Sequence, residues 1–377
     1  MTPESISEHR RLLLGALGVA GIAALTRSAV AGPLSPPLGP VQPTPGPEPR
    51  TPINADTTPG DATAYFVISE PGSYYMQRNL IGPATRSAIR ITADNVTVDL
   101  NGFAIVGDSE GTPGSLTFET GPIENLTIRN GSIRSWGSYV TLNPLFNAIF
   151  EDLRIIGPYA GNLEASAQHS LFRRIVIDST GEVGILAEKN CVIEDCVVVK
   201  REDSNFGLTS GIQAGLSSIV QRCVISGCGS GIEVSGGFVR DCSVFDTVGQ
   251  SAWQIAAILI ASGSVERCTV LGSTRAGIRS TGVSEVRDNV ISACQNGITD
   301  GPLAGNGNRI EGNSVSFSTA EGIKIEKTRN IIARNAVTRS TGADYAIAPG
   351  NLVGEIIDGT GGASLSAATS AWANFRY

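Results

Sequence analysis

Glu233, Arg279 and Lys324 have the types and spacing that could support chemistry on a polymeric substrate. Each is the third residue of a repeated phrase that reads GIEVS, GIRST and GIKIE in turn. Arginine binds carboxylates through its planar guanidinium, and a positioned lysine can transfer a proton. We expect Arg279 to bind a carboxylate and to act with Lys324 in β-elimination, with Glu233 completing the catalytic set. These residues predict a groove for an anionic polymer.

Two further residues extend this predicted groove. Gln213 is the third residue of GIQAG, and Trp253 lies in the turn before AILIA. We expect both to bind substrate, the indole by stacking on a sugar ring. The alternative is a solvated surface that carries ordinary scattered charges, because exposed charges usually contribute little. The sequence leaves both interpretations open.

The phrases that carry these residues belong to a repeat. The first phrase is a seven-residue motif that occurs ten times, for example as TIRNGSI, VIEDCVV, IVQRCVI and EVRDNVI. Successive copies begin 19 to 27 residues apart, the first at residue 127 and the last at residue 331. The GI phrase alternates with it. Val and Ile occupy alternate positions of both phrases, which is typical of half-buried strands. No segment after the N-terminal apolar run shows a convincing helical period.

Short strands that return every ~22 residues cannot bury an apolar face one unit at a time, but stacked coils can. The sequence therefore predicts an all-β fold, a single-stranded right-handed parallel β-helix of about ten coils spaced ~4.8 Å apart, with capped ends. The fifth position of the first phrase supports this prediction. It reads Cys196, Cys223, Cys242 and Cys268, and then Asn289, Asn313 and Asn335. Stacking predicts one column of thiols followed by amides.

The N-terminus has the pattern of an export signal. Arg10-Arg11 precedes the apolar run LLLGALGVAGIAAL, which ends at a small-residue cleavage pattern, AVA. RRLLL resembles a twin-arginine signal, although His9 stands where Ser or Thr is usual, so the general secretory route stays open. An uncleaved anchor is the alternative. We expect export to the periplasm, cell surface or medium, with no membrane segment after cleavage.

The remaining chain divides by composition. Ten of the 19 prolines lie at 32–60, which excludes a helix and a central strand there. We predict five segments: an export signal (1–31), a proline-rich linker (32–60), an N-terminal cap with first coils (61–120), the β-helix (121–357) and a C-terminal cap (358–377).

Charge and ligand types exclude several functions. The net charge of −7 gives no basic field for nucleic acid. No metal or other cofactor is expected, because the sequence has seven Cys without a CxxC pair, two His and two Met. Column cysteines lie side by side, so we expect buried free thiols, with one adjacent-coil disulfide as the alternative. His169 is expected to be an ordinary surface-loop residue, and a Ser–His–Asp triad could be built only on it.

The repeats and VTVDLNGF at 96–103 resemble the pectate-lyase-like parallel β-helix superfamily over residues 61–357. ISEPGSYY at 68–75 resembles the opening of exported β-helix repeat proteins of uncharacterised function. The resemblance implies an exported monomer that binds polysaccharide, with lyase or glycosidase cleavage of an acidic glycan as its sharper form. The catalytic carboxylates and Gly-His-Gly of those relatives have no counterpart here. The alternatives are a non-catalytic surface solenoid on a proline-rich stem and, less well supported, a metal-delivery protein.

Overall fold

The fold is seen in a computed structural model, which describes one folded unit beginning at Arg50. The description covers residues 50–377 except 83–84, 108–114, 119–120, 135–143, 158–162, 165, 180–182, 201–209, 250–254, 302–305 and 361–369. Across this part of the chain the structure contains 40 strands and no helix, so it has no helix that could span a membrane. The predicted export signal lies outside the described residues.

The chain is a parallel β-helix whose coils present three walls, and every strand pairing between successive coils is parallel. The first wall contains β1 (Thr51–Pro52), β3 (Gly72–Tyr75), β6 (Val96–Asp99), the first halves of β10 (Thr127–Arg134), β12 (Ile149–Gly157) and β15 (Leu171–Ser179), then β17 (Val192–Glu194), β20 (Ser218–Gln221), β23 (Gly237–Arg240), β26 (Gly263–Glu266), β29 (Ser284–Arg287), β32 (Arg309–Glu311), β35 (Ile331–Ala333) and β38 (Leu352–Val353).

The second wall follows the first after a sharp corner. It contains β4 (Leu80–Ile81), β7 (Ala104–Val106), the second halves of β10, β12 and β15, then β18 (Val197–Lys200), β21 (Val224–Ser226), β24 (Ser243–Thr247), β27 (Thr269–Ser273), β30 (Val290–Ser292), β33 (Ser314–Ser316), β36 (Ala336–Thr338), β40 (Asn374–Arg376) and β39 (Ile356–Asp358).

The third wall consists of the GI strands. It contains β13 (Leu163–Glu164), β16 (Val183–Ala187), β19 (Ser210–Ala214), β22 (Ser230–Val234), β25 (Ala256–Ile260), β28 (Ala276–Ser280), β31 (Asn296–Asp300), β34 (Ile323–Ile325) and β37 (Tyr345–Ile347). Two three-stranded sheets precede the first wall in the early coils: β2 (Ala64–Ile68), β5 (Ser87–Ile91) and β8 (Leu116–Phe118), and β9 (Ile123–Glu124), β11 (Leu145–Phe146) and β14 (Ala167–Gln168).

The predicted column of thiols and amides is confirmed. The seven residues lie at the corner between the first and second walls, all point inward, and each is at most 1% exposed. The backbone N–H that follows each member donates to the carbonyl of the member one coil below, as Val224 does to Cys196 at 2.9 Å. All seven cysteines of the chain are buried and free. We call this the thiol–amide column.

The glycine of each GI phrase is required by the narrow interior. A Cβ built at the six GI glycines lies 2.2 to 2.6 Å from a Val or Ile methyl of the second wall, closer than real atoms approach. For Gly297 the methyl belongs to Val315. The backbone of the third wall therefore packs directly against side chains of the second wall. A larger residue at these glycine positions would force the two walls apart.

A column of charged residues at the same corner was not predicted. The residue before each member of the thiol–amide column has a left-handed φ between 50° and 69°. These seven residues, together with the equivalent residues of two earlier coils, form what we call the corner column: Asp152, Arg174, Asp195, Arg222, Asp241, Arg267, Asp288, Gly312 and Arg334. Asp is common in this conformation and Arg is not, so the arginines are held there by their contacts.

The folded unit includes segments outside the predicted β-helix at both ends. Residues 50–60, assigned above to the linker, belong to the folded unit, where Thr51–Pro52 pairs with β3 and Pro52 lies on a terminal edge strand. The solenoid has about 12 turns, because the segment before residue 120 adds complete coils to the ten expected. At the C-terminus β40 inserts between β36 and β39, and the amide of Asn374 extends the thiol–amide column.

Candidate functional site

The outward face of the third wall brings the predicted site residues into one column. The register pairs Gln213 with Glu233, Glu233 with Leu259, Leu259 with Arg279, Arg279 with Thr299, and Thr299 with Lys324. Inward Ile residues alternate with these positions along each strand, so the column side chains point outward. Five of them are half-buried, and Thr299 is buried. Glu233, Arg279 and Lys324 are each separated by one intervening coil, about 10 Å along the solenoid axis. The column continues to Ala346. Alignment of the last GI-like phrase, AIAPG at 346–350, by its letters alone predicts Ala348 at this position.

A groove of about 430 Å³ lies over the first part of this column, between Leu186 and Leu259. Its polar centre is a network in which the Ser210 hydroxyl donates to Glu233 Oε1 at 2.7 Å. The Gln213 amide donates to Ser210 Oγ at 3.0 Å and to Glu233 Oε2 at 3.3 Å. The network holds the carboxylate and the amide side by side in fixed orientations, an arrangement suited to sugar hydroxyls.

Arg279 leans away from Glu233 and toward the next coil. A Cβ at Gly301 would lie 3.2 Å from Arg279 Nε and 3.4 Å from Nη2, so the guanidinium lies over the glycine. Arg279 has no ion pair with any residue that the structure describes, and its Nε is buried without an acceptor there. Lys324 lies one coil beyond Thr299 and pairs with Glu326 at 3.2 Å. The column therefore divides into a carboxylate–amide section and a cationic section.

Not every predicted residue enters this site. Trp253 lies outside the described residues, so its stacking role stays a prediction. His169 is exposed in a left-handed turn with φ 55°, and its Nε2 lies 3.1 Å from Asn190 Nδ2 of the next coil. It replaces asparagine in a column of turn residues that includes Asn125 and Asn147.

The buried cysteines offer no nucleophile. Burial raises the pKa of Cys228 to about 12 and that of Cys294 to about 11. The Cys196 thiol and burial together raise the pKa of Cys223 well above its usual range. Because the thiolate is the reactive form, these groups stay protonated and inert in the folded chain.

Part of the sequence matches a family model described as periplasmic copper-binding protein (NosD). The match covers residues 256–353, about a quarter of the 377 residues. No curated protein matches the sequence.

The chain is similar to several solved structures at low identity. The mannuronan C-5 epimerase AlgE6 A-module of Azotobacter vinelandii is 12% identical with a TM-score of 0.45, covering 75% of this chain and 89% of that one. A tailspike protein mutant of E. coli bacteriophage HK620 is 12% identical with a TM-score of 0.45, covering 77% and 59%. The catalytic domain of a GH87 α-1,3-glucanase is 11% identical with a TM-score of 0.38, covering 81% and 62%.

The residues present do not fit a copper site. Residues 256–353 contain Cys268 and Cys294 but neither His nor Met. Both thiols are 1% exposed, and both have raised pKa values, so neither is available as a thiolate ligand. Within the described ranges no group of three Cys, His, Asp or Glu side chains could hold a metal ion.

Proposed function

We propose that this chain is an exported protein that binds an anionic polysaccharide along the outward face of its third wall. The observation that carries the proposal is the register of the column from Gln213 to Lys324, which aligns a polar groove and two cations within six consecutive coils. An extended polymer parallel to the solenoid axis would contact all of them at once. Many weak contacts along one line suit a repeating ligand.

Each section of the column has a separate role in this proposal. The carboxylate of Glu233 and the amide of Gln213 hydrogen-bond sugar hydroxyls in the groove, whose walls are Leu186 and Leu259. Arg279 binds a uronic carboxylate, since its guanidinium has no ion pair with a described residue. Lys324 adds a second positive charge about 10 Å away.

Cleavage of the bound polysaccharide by β-elimination is the more specific form of the proposal. It requires Arg279 to neutralise the uronic carboxylate while a base removes the proton from the adjacent carbon. A carbon–carbon double bond then forms as the bond to the glycosidic oxygen breaks, and that oxygen takes a proton from the protonated base or from water. The candidate base is Lys324 in its neutral amine form, whereas its protonated form supplies the positive charge for binding. Glu233 is too far along the axis to share the same sugar with Lys324, at about 20 Å over four coils. We therefore propose Glu233 as a residue that positions the polymer, with Arg279 and Lys324 at the reacting sugar.

The test measures binding and cleavage separately. Purified protein is titrated with polygalacturonate, alginate and neutral dextran by calorimetry, and unsaturated products are followed by ultraviolet absorbance. We expect binding to the uronates only, weakened at least tenfold by Arg279→Ala and also by Lys324→Ala. Arg154→Ala is the matched control, because Arg154 is an exposed arginine on the second wall. Its binding should equal that of the wild type.

The outcomes distinguish the candidate functions. Binding with product formation that Arg279→Ala abolishes supports a lyase. Binding without product supports a glycan-binding module. If no uronate binds, or if Arg154→Ala weakens binding as much as Arg279→Ala, the proposal is wrong and a structural solenoid is favoured.

A further inference from the structure

The corner column is built from repeated arginine forks. Arg174, Arg222 and Arg267 each direct Nε and Nη2 at the two carboxylate oxygens of the Asp one coil below, at 2.7 to 3.0 Å. The three forks have one geometry on three pairs of coils. A bidentate fork of this kind is specific for a planar guanidinium. The corner column therefore contains three copies of a guanidinium-binding arrangement.

The fourth copy lacks its arginine. Asp288 stands where Asp152, Asp195 and Asp241 stand, but the next coil provides Gly312. Asp288 Oδ1 lies only 2.4 Å from the point where a Cβ of Gly312 would be, so the carboxylate leans over the glycine and would shift if a side chain began there. In the part of the chain that the structure describes, Asp288 forms no ion pair.

A cavity of about 460 Å³ opens at this interruption. Three arginines line it, but each is engaged: Arg287 pairs with Glu266, while Arg309 and Arg334 both pair with the buried Glu311. Glu285 also lines the cavity and forms no ion pair among the described residues. The cavity therefore presents two unpaired carboxylates.

We propose that this cavity binds a short dication that carries a guanidinium at one end. The guanidinium takes the position of the missing fork on Asp288, and the second cation lies against Glu285. The two carboxylates are three residues apart along one strand and its corner, about 10 Å between Cα atoms. A short amine with an apolar stem can span the distance between their side chains, and the proposal is independent of the third-wall site.

Agmatine is the probe, because it carries a guanidinium and an ammonium on a four-carbon stem. Calorimetry at low ionic strength should show one site in the wild type. Asp288→Asn and Glu285→Gln should each weaken the binding at least fivefold. Gly312→Arg should abolish it, because the new side chain completes the fork. Arginine already adopts this left-handed conformation at four other corner positions, so we expect the variant to fold.

A gain-of-site variant tests the same reasoning in the opposite direction. Arg267→Gly removes the fork on Asp241, so it should bind a second agmatine more weakly than the first, because Phe238 stands where Glu285 does, and agmatine should raise its melting temperature more than that of the wild type. The proposal is overturned if agmatine does not bind the wild type, if it binds folded Gly312→Arg equally well, or if Asp288→Asn has no effect. Circular dichroism confirms the fold of each variant.

Discussion

Replacement of Asn313 with alanine should strongly destabilise the solenoid. Asn313 is 1% exposed, and its side chain accepts from Asn289 N–H and Nδ2 at 3.1 and 2.9 Å. It also donates to the carbonyls of Val286 and Glu311 and to the side-chain oxygen of Asn335. The alanine variant loses all five bonds and leaves the buried N–H of Asn289 without this acceptor.

The expected cost follows from these contacts. An unsatisfied buried donor costs about 1–3 kcal/mol, and each other lost hydrogen bond costs about 0.5–1.5 kcal/mol where water cannot replace it. Partial relaxation reduces the sum, so we expect Asn313→Ala to lower the free energy of local opening by about 3–5 kcal/mol. Asn313→Cys should cost about half as much, because four earlier coils accommodate a thiol at this position.

Hydrogen exchange with mass spectrometry is the suitable assay, because repeat proteins can open in segments. Peptides covering β29 to β36 should exchange roughly a hundredfold or more faster in Asn313→Ala, since about 1.4 kcal/mol is a factor of ten. The exposed Asn306→Ala is the control and should match the wild type. An effect in Asn313→Ala below about 1 kcal/mol, or a larger cost for the cysteine variant, would refute the account of the thiol–amide column.

Three other properties can be tested. Gly297→Ala should lower the free energy of unfolding by about 1–3 kcal/mol in denaturant titrations, because its Cβ would lie 2.2 Å from a methyl group of the second wall. Gly121→Ala is the control and should leave the stability unchanged, because no atom lies near its Cβ. Equal effects of the two variants would contradict the account of the narrow interior. The hydrogen bonds from Arg222 lower the pKa of Asp195 in the folded chain. The pair therefore stabilises the fold at pH values above the unfolded-state pKa of about 3.9, and this stabilisation is lost as the pH falls through the lower pKa of the folded state. Between pH 5 and 2 the wild type should lose more stability than Asp195→Asn, and identical losses would oppose the assignment. All seven thiols are buried, so a disulfide reagent at pH 8 should label none of them in the native chain and all seven after denaturation. Burial also raises the pKa of Cys228 to about 12. Rapid labelling of the native chain would show that the thiols are accessible.

The sequence was sufficient for the fold because the solenoid repeats one residue type at one position. Cys196 to Cys268 and the following asparagines identify a buried column directly, and the third residue of each GI phrase identifies the outward column. The error at Ala348 arose because the last GI-like phrase, AIAPG, pairs two residues earlier than its letters indicate. Phrase alignment cannot detect such a shift, since it depends on the length of the preceding turn.

The corner column was missed for a different reason. Its members alternate between Asp and Arg from coil to coil, so no single residue type recurs at that position. Only the parallel register, which places Arg174, Arg222 and Arg267 each above an Asp, shows that the alternation forms ion pairs. The orientation of the Arg279 side chain over Gly301 likewise depends on side-chain packing. The sequence indicates it only through a small residue, Gly301, two positions after Thr299, which pairs with Arg279 on the next coil.

A crystal structure of the protein with a bound oligouronide tests the glycan proposal most directly. We predict that the sugar chain lies on the third wall, parallel to the solenoid axis, with one carboxylate within hydrogen-bond distance of Arg279 and hydroxyls on Glu233 and Gln213. An oligouronide bound to another wall or to a solenoid end, with Arg279 uninvolved, would contradict the account.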